Sequence, residues 1–411
     1  MALVVQKYGG TSVGSLERME RVAERAIAAS RAGDQVVMIV SAMAGETNRL
    51  LGLASQVTPL PDARELDVLA STGEQVSAAL VALTVQKLGH PARSLLGSQI
   101  RIRTDGAFTK ARILEIEGTK LLDTVANGKI AVVAGFQGVD DAGDINTLGR
   151  GGSDTTAVAI AAAIRADVCE IYTDVDGVYT TDPNICRKAR KIDRISYEEM
   201  LELASLGAKV LQIRSVEVAM KYGVPIHVRS SFSDRPGTIV AGEEGLEKVV
   251  VTGIAYDKSE GKVQLINVPD KPGVVATVFG MLADQNVSVD MIIQSPSREG
   301  GHTTDVTFTV PKQDLARTKE SIERCAREIG GAAIEYDMDI VKVSIVGLGM
   351  RSHAGVASRM FRILAEEGIN IQAISTSEIK VSCVIASKYT ELAVRALHTG
   401  FGLDRDDLEL E

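Results

Sequence analysis

Residues 1–15 read MALVVQKYGGTSVGS. Residues 2–5 lean apolar, and Gln6, Lys7, Tyr8, Gly9, Gly10, Thr11 and Ser12 follow at once. This is a short buried strand that runs directly into a lysine and a glycine pair. In an open α/β sheet, chemistry gathers where the strands end. Glycines let backbone N–H groups approach a ligand, a following helix adds its positive end, and a lysine supplies a point charge for phosphate. Taken alone, the stretch reads equally as a strand–turn–helix with an incidental surface lysine.

The alternation continues downstream. Residues 16–32 place Leu16, Met19, Val22, Ala23, Ala26 and Ile27 at helical spacing, Gly33-Asp34 ends the run, and QVVMIVSAM (35–43) reads as a buried strand. KIAVVAGFQG (129–138), VCEIYTDVDG (168–177) and VPIHVRS (224–230) repeat the strand pattern, with helical segments at 155–166 and 197–211. Continuous apolar strands separated by helices predict a mainly parallel sheet sandwiched by helices. The pattern breaks at Pro236, Gly237, Gly242 and Gly245.

The remainder holds an internal repeat. GVVATVFGMLADQNVSVDMI begins at Gly273, and GVASRMFRILAEEGINIQAI begins at Gly355, 82 residues later. Gly273/Gly355, Val274/Val356, Phe279/Phe361, Leu282/Leu364 and Ala283/Ala365 are identical pairs. Each copy is preceded by a strand and followed by another, which predicts two small α+β modules.

A chain of 411 residues accommodates two to three domains, because one core rarely grows past about 250–300 residues. The net charge of −9 argues against nucleic acid as the main partner. No apolar run approaches the ~20 residues of a membrane span, and the N-terminus lacks the layout of a signal peptide. Cys169, Cys186, Cys325 and Cys383 are scattered without a CxxC, so neither a zinc site nor a disulfide framework is expected, and five dispersed histidines add no ligand cluster. The expected location is the reducing cytoplasm.

Two further glycine-bearing loops follow predicted strands. Leu148-Gly149-Arg150-Gly151-Gly152-Ser153-Asp154 opens a helix, with Ser153 or Asp154 as its expected N-cap, and forms an anion-receiving start. Arginine grips a carboxylate through two parallel hydrogen bonds. In the third loop, residues 172–183 read YTDVDGVYTTDP; its carboxylates, hydroxyls and aromatics suit a nucleotide's sugar and base, or a plain polar turn. No GxxxxGK[ST] occurs, and Gly347-Leu348-Gly349 lacks the third glycine of a dinucleotide fingerprint.

KYGGTS at Lys7, GRGGSD at Gly149 and YTDVDGVYTTDP at Tyr172 together resemble the three signature stretches of the aspartate kinases, members of the amino acid kinase family. The doubled module resembles the tandem ACT (ferredoxin-like) regulatory domains of that family. The resemblance runs over the whole chain. It implies an amino acid kinase domain at 1–245, a first ACT module at 262–340 inserted in a second built from 246–261 and 341–411, and a strand near 249–255 that pairs into the second. It also implies ATP-dependent, Mg2+-assisted phosphorylation of the aspartate side-chain carboxylate to 4-phospho-L-aspartate, the first step toward lysine, threonine and methionine.

That chemistry suits the residues. A carboxylate nucleophile with a pKa near ~3.9 is already ionised and needs no general base, and no histidine sits in the three loops. By resemblance, Lys7 meets the transferring phosphoryl oxygens, Tyr8, Gly9 and Gly10 contact the nucleotide, and Asp154 is a second catalytic group that orients Lys7 or a Mg2+ shell. Arg150 meets the substrate α-carboxylate and Glu74 its ammonium, with Ser41, Thr47, Gly151, Gly152 and Ser153 on the substrate side. Thr173, Asp174, Tyr179, Lys209 and Val210 match nucleotide contacts. Asn184 departs from the arginine common in the family. In the modules, Asp270, Gly273, Gln294, Asn370 and Ile371 are the implied threonine site, and Met350, His353 and Glu378 the implied lysine site. The implied partners are aspartate, ATP, threonine or lysine as effectors, and other subunits in a homo-oligomer or with a shorter regulatory chain. Two other readings stay open: a kinase of the same fold acting on glutamate, and a non-catalytic amino-acid-binding regulator.

Overall fold

The computed structural model describes residues 1–207, 210–242, 250–296, 302–330, 332–351, 353 and 355–405. Lys209 and the expected boundary at 245/246 lie outside them. Two compact units emerge. In the first, β1 (Leu3–Tyr8), α1 (Leu16–Arg31), β2 (Gln35–Val40), α2 (Glu46–Val57) and α3 (Ala63–Lys87) come first. β3 (Ala92–Leu95), β4 (Ile102–Thr104), β5 (Ile113–Ile116), α4 (Thr119–Ala126) and β6 (Ile130–Ala134) follow. Then come β7 (Gln137–Val139), β8 (Ile145–Thr147), α5 (Gly152–Ala163) and β9 (Val168–Thr173). β10 (Arg194–Ser196), α6 (Tyr197–Ser205), α7 (Ile213–Tyr222), β11 (Ile226–Ser230) and β12 (Thr238–Ala241) end the unit.

The main sheet runs β10-β12-β11-β9-β1-β2-β6-β3, parallel throughout except between β11 and β12. Its central strands are buried on both faces, which is why they read as unbroken apolar runs. From β1 the chain passes to β2, goes on to β3 at the sheet edge, fills the place between them with β6, then returns to place β9 on the other side of β1. The winding direction therefore reverses beside β1, where α/β sheets open a crevice. Register aligns Tyr8 with Val40 and Tyr172, Val40 with Ala134, and Thr173 with Ser230. The loops after these five strands share one edge.

α1 buries Met19, Val22, Ala23, Ala26 and Ile27 as its spacing predicts, while Leu16 is exposed at its start, after the Ser15 N-cap. Two helix readings change. The helix over 197–211 stops at Ser205, followed by Gly207 at φ +100°. α5 begins at Gly152, and its N-cap is Gly151 at φ 72°, so Ser153 and Asp154 sit inside the first turn. A second sheet, β5-β4-β7-β8, has strands of three or four residues, too short to show alternation in the sequence. α3 is long and apolar enough by length and composition to cross a membrane, yet half of its apolar window is buried inside the protein. Its buried face carries Asp67, Ser71, Glu74 and Ser77.

The second unit comprises β13 (Gly253–Asp257), β14 (Glu260–Pro269), α8 (Val274–Asp284), β15 (Ile292–Pro296), β16 (Thr303–Pro311), α9 (Lys312–Glu328) and β17 (Ala333–Asp337). β18 (Ile340–Val346), α10 (Val356–Glu366), β19 (Ile371–Thr376), β20 (Lys380–Ala386) and α11 (Thr390–Gly400) follow. They form two four-stranded sheets, β15-β16-β14-β17 and β13-β18-β20-β19. β13 pairs antiparallel with β18, so the chain enters one sheet, builds the whole of the other, and returns. α8 and α10 start alike, on Gly273 and Gly355 at φ 94° and 95°. Each sheet packs its own core, around Phe308 and Leu282 in one and Val343 and Leu364 in the other.

Candidate active site

Lys7 ends up one residue from the end of β1, on the crevice edge. Its Nζ lies 2.6 Å from Asp154 Oδ1 in the first turn of α5, and both side chains are nearly buried. The contact is charge to charge: Asp154 Oδ1 has no well-aligned hydrogen bond. Gly10 is required here, since a Cβ on it would meet the Ala42 carbonyl at 2.7 Å. That packing lets the turn after β1 sit against the turn after β2, with Ala44 N–H donating to Gly10 O at 3.1 Å.

The pair opens on a cavity of about 640 Å³, lined by Ser41, Thr47, Asp67, Glu74, Thr109, Phe136, Thr147 and the whole loop from Gly149 to Asp154. Glu74 is buried; its Oε1 accepts the Ala42 N–H at 3.1 Å, while Oε2 has no partner. Burial pushes its carboxyl up to about 7, against the pull of the Ala42 hydrogen bond. Arg150 is exposed, and among the described residues it forms no ion pair. At the N-terminus of α5, Gly152 N–H donates to Gly149 O at 3.0 Å, and Ser153 and Asp154 follow in the first turn, at the positive end of the helix.

The loop is held from behind. Arg214 of α7 donates to Leu148 O at 2.6 Å and Ala111 O at 3.0 Å. Buried Asp67 accepts the N–H groups of Thr109 and Thr147, each at 2.8 Å, and the Thr147 hydroxyl at 2.6 Å. A Cβ at Gly151 would strike Gln212 at 2.0 Å, and at Gly152 would strike Phe136 at 2.7 Å. Thr109 and Phe136 hold φ of 66° and 69°, costly for non-glycine residues, and both line the cavity. A built, partly strained cavity presents the exposed Arg150 guanidinium, a carboxylate oxygen with no partner among the described residues and a nearly buried ion pair. It suits a small zwitterion that brings a second anionic group to Lys7.

Comparison with known proteins fits this arrangement. Residues 2–230 match the model of the amino acid kinase family, and residues 264–327 and 343–401 each match an ACT domain. A Pseudomonas aeruginosa aspartokinase is 57% identical over 407 residues, covering 98% of either chain. The chain belongs to the aspartokinase family. The crystal structure of E. coli aspartokinase III with aspartate and ADP (R-state) has 26% sequence identity and a TM-score of 0.81, covering 97% of this chain and 99% of that one. The T-state of the same E. coli enzyme, with lysine and aspartate, gives 0.77 at 26% identity, over the same shares.

Of the residues expected to serve this aspartokinase, Lys7, Ser41, Thr47, Glu74, Arg150, Gly151, Gly152, Ser153 and Asp154 meet around one cavity. Among the described residues, Thr173, Asp174, Tyr179 and Val210 do not line it. Thr173 and Asp174 follow β9 on the same edge, Tyr179 bridges to Lys191 and Val210 lies in a half-buried turn. The Tyr8 side chain is fully buried, stacked on Tyr172 at 4.7 Å, with its hydroxyl on Gln6 Oε1. Only its backbone remains for a ligand. Gly9 N–H donates to Tyr172 O at 3.4 Å. The effector residues spread over two sheets. Asp270 and Gly273 lead into α8, Gln294 is exposed in β15, and Asn370 and Ile371 open β19. Met350 lies in a 3-10 turn, His353 Nδ1 is 2.8 Å from Gly349 O, and Glu378 is exposed. Asp67 and Arg214 escape the sequence reading. Asp67 had a signal: it stands seven residues before Glu74, on the same face of α3.

Proposed function

We propose that this aspartate kinase moves the γ-phosphoryl group of ATP onto the side-chain carboxylate of L-aspartate, giving 4-phospho-L-aspartate and ADP. One observation carries the reading: exposed Arg150, buried Glu74 with its Oε2 unbonded among the described residues, and the Lys7–Asp154 pair line a single cavity. Arg150 takes the α-carboxylate, Glu74 the ammonium, and the remaining carboxylate is left facing Lys7. That carboxylate is ionised at neutral pH, so its oxygen attacks phosphorus directly while the bond to the ADP oxygen breaks. Lys7 neutralises charge on the moving group, and Asp154 orients the Lys7 ammonium. Ser41, Thr47 and Ser153 fill the substrate side; Thr173, Asp174, Tyr179, Lys209 and Val210 take the nucleotide. The E. coli structure with aspartate and ADP supports the pairing of ligands.

Among the described residues no three His, Cys or carboxylate groups converge on one point. Mg2+ would be held by one or two carboxylates together with the phosphates of the nucleotide. Exposed Asp174 on the sheet edge and Asp154 are the candidates. Bound there, the ion offsets phosphate charge.

The second unit is read as a sensor of threonine, lysine or both, with Asp270, Gly273, Gln294, Asn370 and Ile371 for one effector and Met350, His353 and Glu378 for the other. The lysine-bound T-state of the E. coli enzyme supports a lysine effector. The reading includes a nested domain division, 1–245, 262–340 and 246–261 with 341–411. It also includes a homo-oligomer or a complex with a shorter regulatory chain, a cytoplasmic location, and a place at the head of lysine, threonine and methionine synthesis.

The test offers ATP, Mg2+ and hydroxylamine with either aspartate or glutamate. Hydroxamate forms with aspartate; formation with glutamate alone contradicts the reading in favour of a glutamate kinase. Threonine binding without aspartate-dependent ATP consumption contradicts it in favour of a silent regulator. A second expectation concerns pH. Glu74 meets an ammonium only when ionised, so KM for aspartate falls as pH rises through about 7. Its raised pKa works oppositely on stability. The ligand-free protein is favoured while Glu74 is protonated, and loses that contribution as pH climbs toward about 7. Glu74→Gln flattens both profiles, read by initial rates and thermal melts at pH 5.5 to 8.5.

A further inference from the structure

Asp67 and Glu74 stand seven residues apart on the buried face of α3, which spaces them by about 10 Å along one rigid rod. Asp67 is 1% exposed, and both of its oxygens accept hydrogen bonds. Oδ2 takes the N–H groups of Thr109 and Thr147, each at 2.8 Å, and Oδ1 takes the Thr147 hydroxyl at 2.6 Å. Burying a carboxylate is costly. Here three bonds offset that cost, and all of them end at the root of the loop that carries Arg150.

That root leaves little play. Thr147 O accepts the Ala111 N–H at 2.9 Å, Leu148 N–H donates to Phe136 O at 2.9 Å, and Leu148 O accepts from Arg214 at 2.6 Å. Beyond it, Gly149 and Gly151 stand at φ 74° and 72°, and Gly152 N–H donates to Gly149 O at 3.0 Å. Arg150 therefore sits on a short arch between two fixed ends. Thr109 keeps φ at 66°, and a Cβ on Gly149 would lie 3.0 Å from its carbonyl oxygen. Asp67 thus holds both the strand end from which the arch springs and the strained turn on which it rests.

We propose that Asp67 is a positioning residue for Arg150 and thereby sets the length of amino acid that the site accepts. The inference rests on the reading of Arg150 and Glu74 given above. One helix then carries both references for the amino-acid end of the substrate. Glu74 meets the ammonium, and Asp67 fixes the place of the cation that meets the α-carboxylate. With that end fixed, the side-chain carboxylate of aspartate reaches Lys7. The carboxylate of glutamate, one methylene further out, arrives out of line. Asp67 lies in none of the three signature stretches.

The test uses the full chain with ATP, Mg2+ and hydroxylamine, and compares aspartate with glutamate. Asp67→Asn keeps the volume and sets an NH2 group where an acceptor is needed. Its kcat/KM for aspartate falls about 10–100-fold, up to the loss that a ~1 Å misplacement produces. KM for ATP stays within about twofold. The preference for aspartate over glutamate, which one methylene in a fitted site makes about 10–200-fold, falls about tenfold. Thr147→Val removes one of the three bonds and lowers the preference by less. Val85→Ala truncates a buried side chain further along α3; it lowers the melting point and leaves the preference unchanged. An equal loss of preference in Val85→Ala marks general loosening of the helix and overturns the proposal. If Asp67→Asn does not fold, Thr147→Val decides, and a wild-type preference there overturns the proposal. Wild type that makes no hydroxamate from aspartate overturns the reading of the site and the proposal together. Wild type that prefers aspartate, with the same preference in Asp67→Asn, overturns the proposal alone.

Discussion

Lys7→Ala lowers kcat by about 10²–10³-fold, the usual loss when one preorganised charge is removed from a developing transition state. The carboxylate nucleophile arrives ionised, so no proton transfer remains for another residue to rescue. Positioning and charge neutralisation are what the protein supplies. The substitution has a structural side effect, because Lys7 and Asp154 pair in a site where their side chains are only 11% and 12% exposed. An unpaired, nearly buried Asp154 costs several kcal/mol. The companion variant Lys7→Met/Asp154→Asn removes both charges and recovers most of the lost melting temperature. Its kcat stays as low as that of Lys7→Ala. Effector binding to the second unit is unchanged in either variant. If the double variant regains activity along with stability, Lys7 is only a structural partner of Asp154.

Arg150→Ala raises KM for aspartate about 10–100-fold, the range for losing charge-assisted bonds to a carboxylate. Here stability is not at stake. Arg150 is exposed and forms no ion pair among the described residues, so its removal shifts folding free energy by less than about 0.5 kcal/mol. Arg150→Lys retains the charge but not the planar fork and falls between wild type and alanine. KM for ATP stays within about twofold in both. A rise in KM for ATP equal to that for aspartate would move Arg150 to the nucleotide side. Initial rates with each substrate varied in turn make the distinction.

Much of this was legible in the chain because the physics was local. β1, β2, β6 and β9 are buried on both faces and so announce themselves as apolar runs. The equal starts of α8 and α10 are visible as a repeat because each needs a glycine in the left-handed region. What stayed hidden depends on tertiary placement. Glu74 looks like a surface acid, since its helix neighbours Ser71, Gln75 and Ser77 are polar; only packing against the turn after β2 buries it. Tyr8 sits inside a signature stretch, yet strand alternation turns its ring away from Lys7 and onto Tyr172. The Gly151 cap was missed because serine and aspartate are the better caps by propensity, whereas this helix start is fixed by Gln212 crowding the loop. Asp67 and Arg214 act on backbone groups distant in sequence, which no spacing rule records.

The central claim is that a side-chain carboxylate oxygen of aspartate becomes the oxygen bonded to the transferred phosphorus. Aspartate labelled with 18O in that carboxylate, with ATP, Mg2+ and hydroxylamine, tests it directly. Hydroxylamine attacks the acyl carbon, and the departing phosphate keeps the bridging oxygen. Mass spectrometry of the released phosphate finds one 18O atom per molecule if the carboxylate is the nucleophile. Phosphate released without 18O, at the same rate of ATP consumption, contradicts the account.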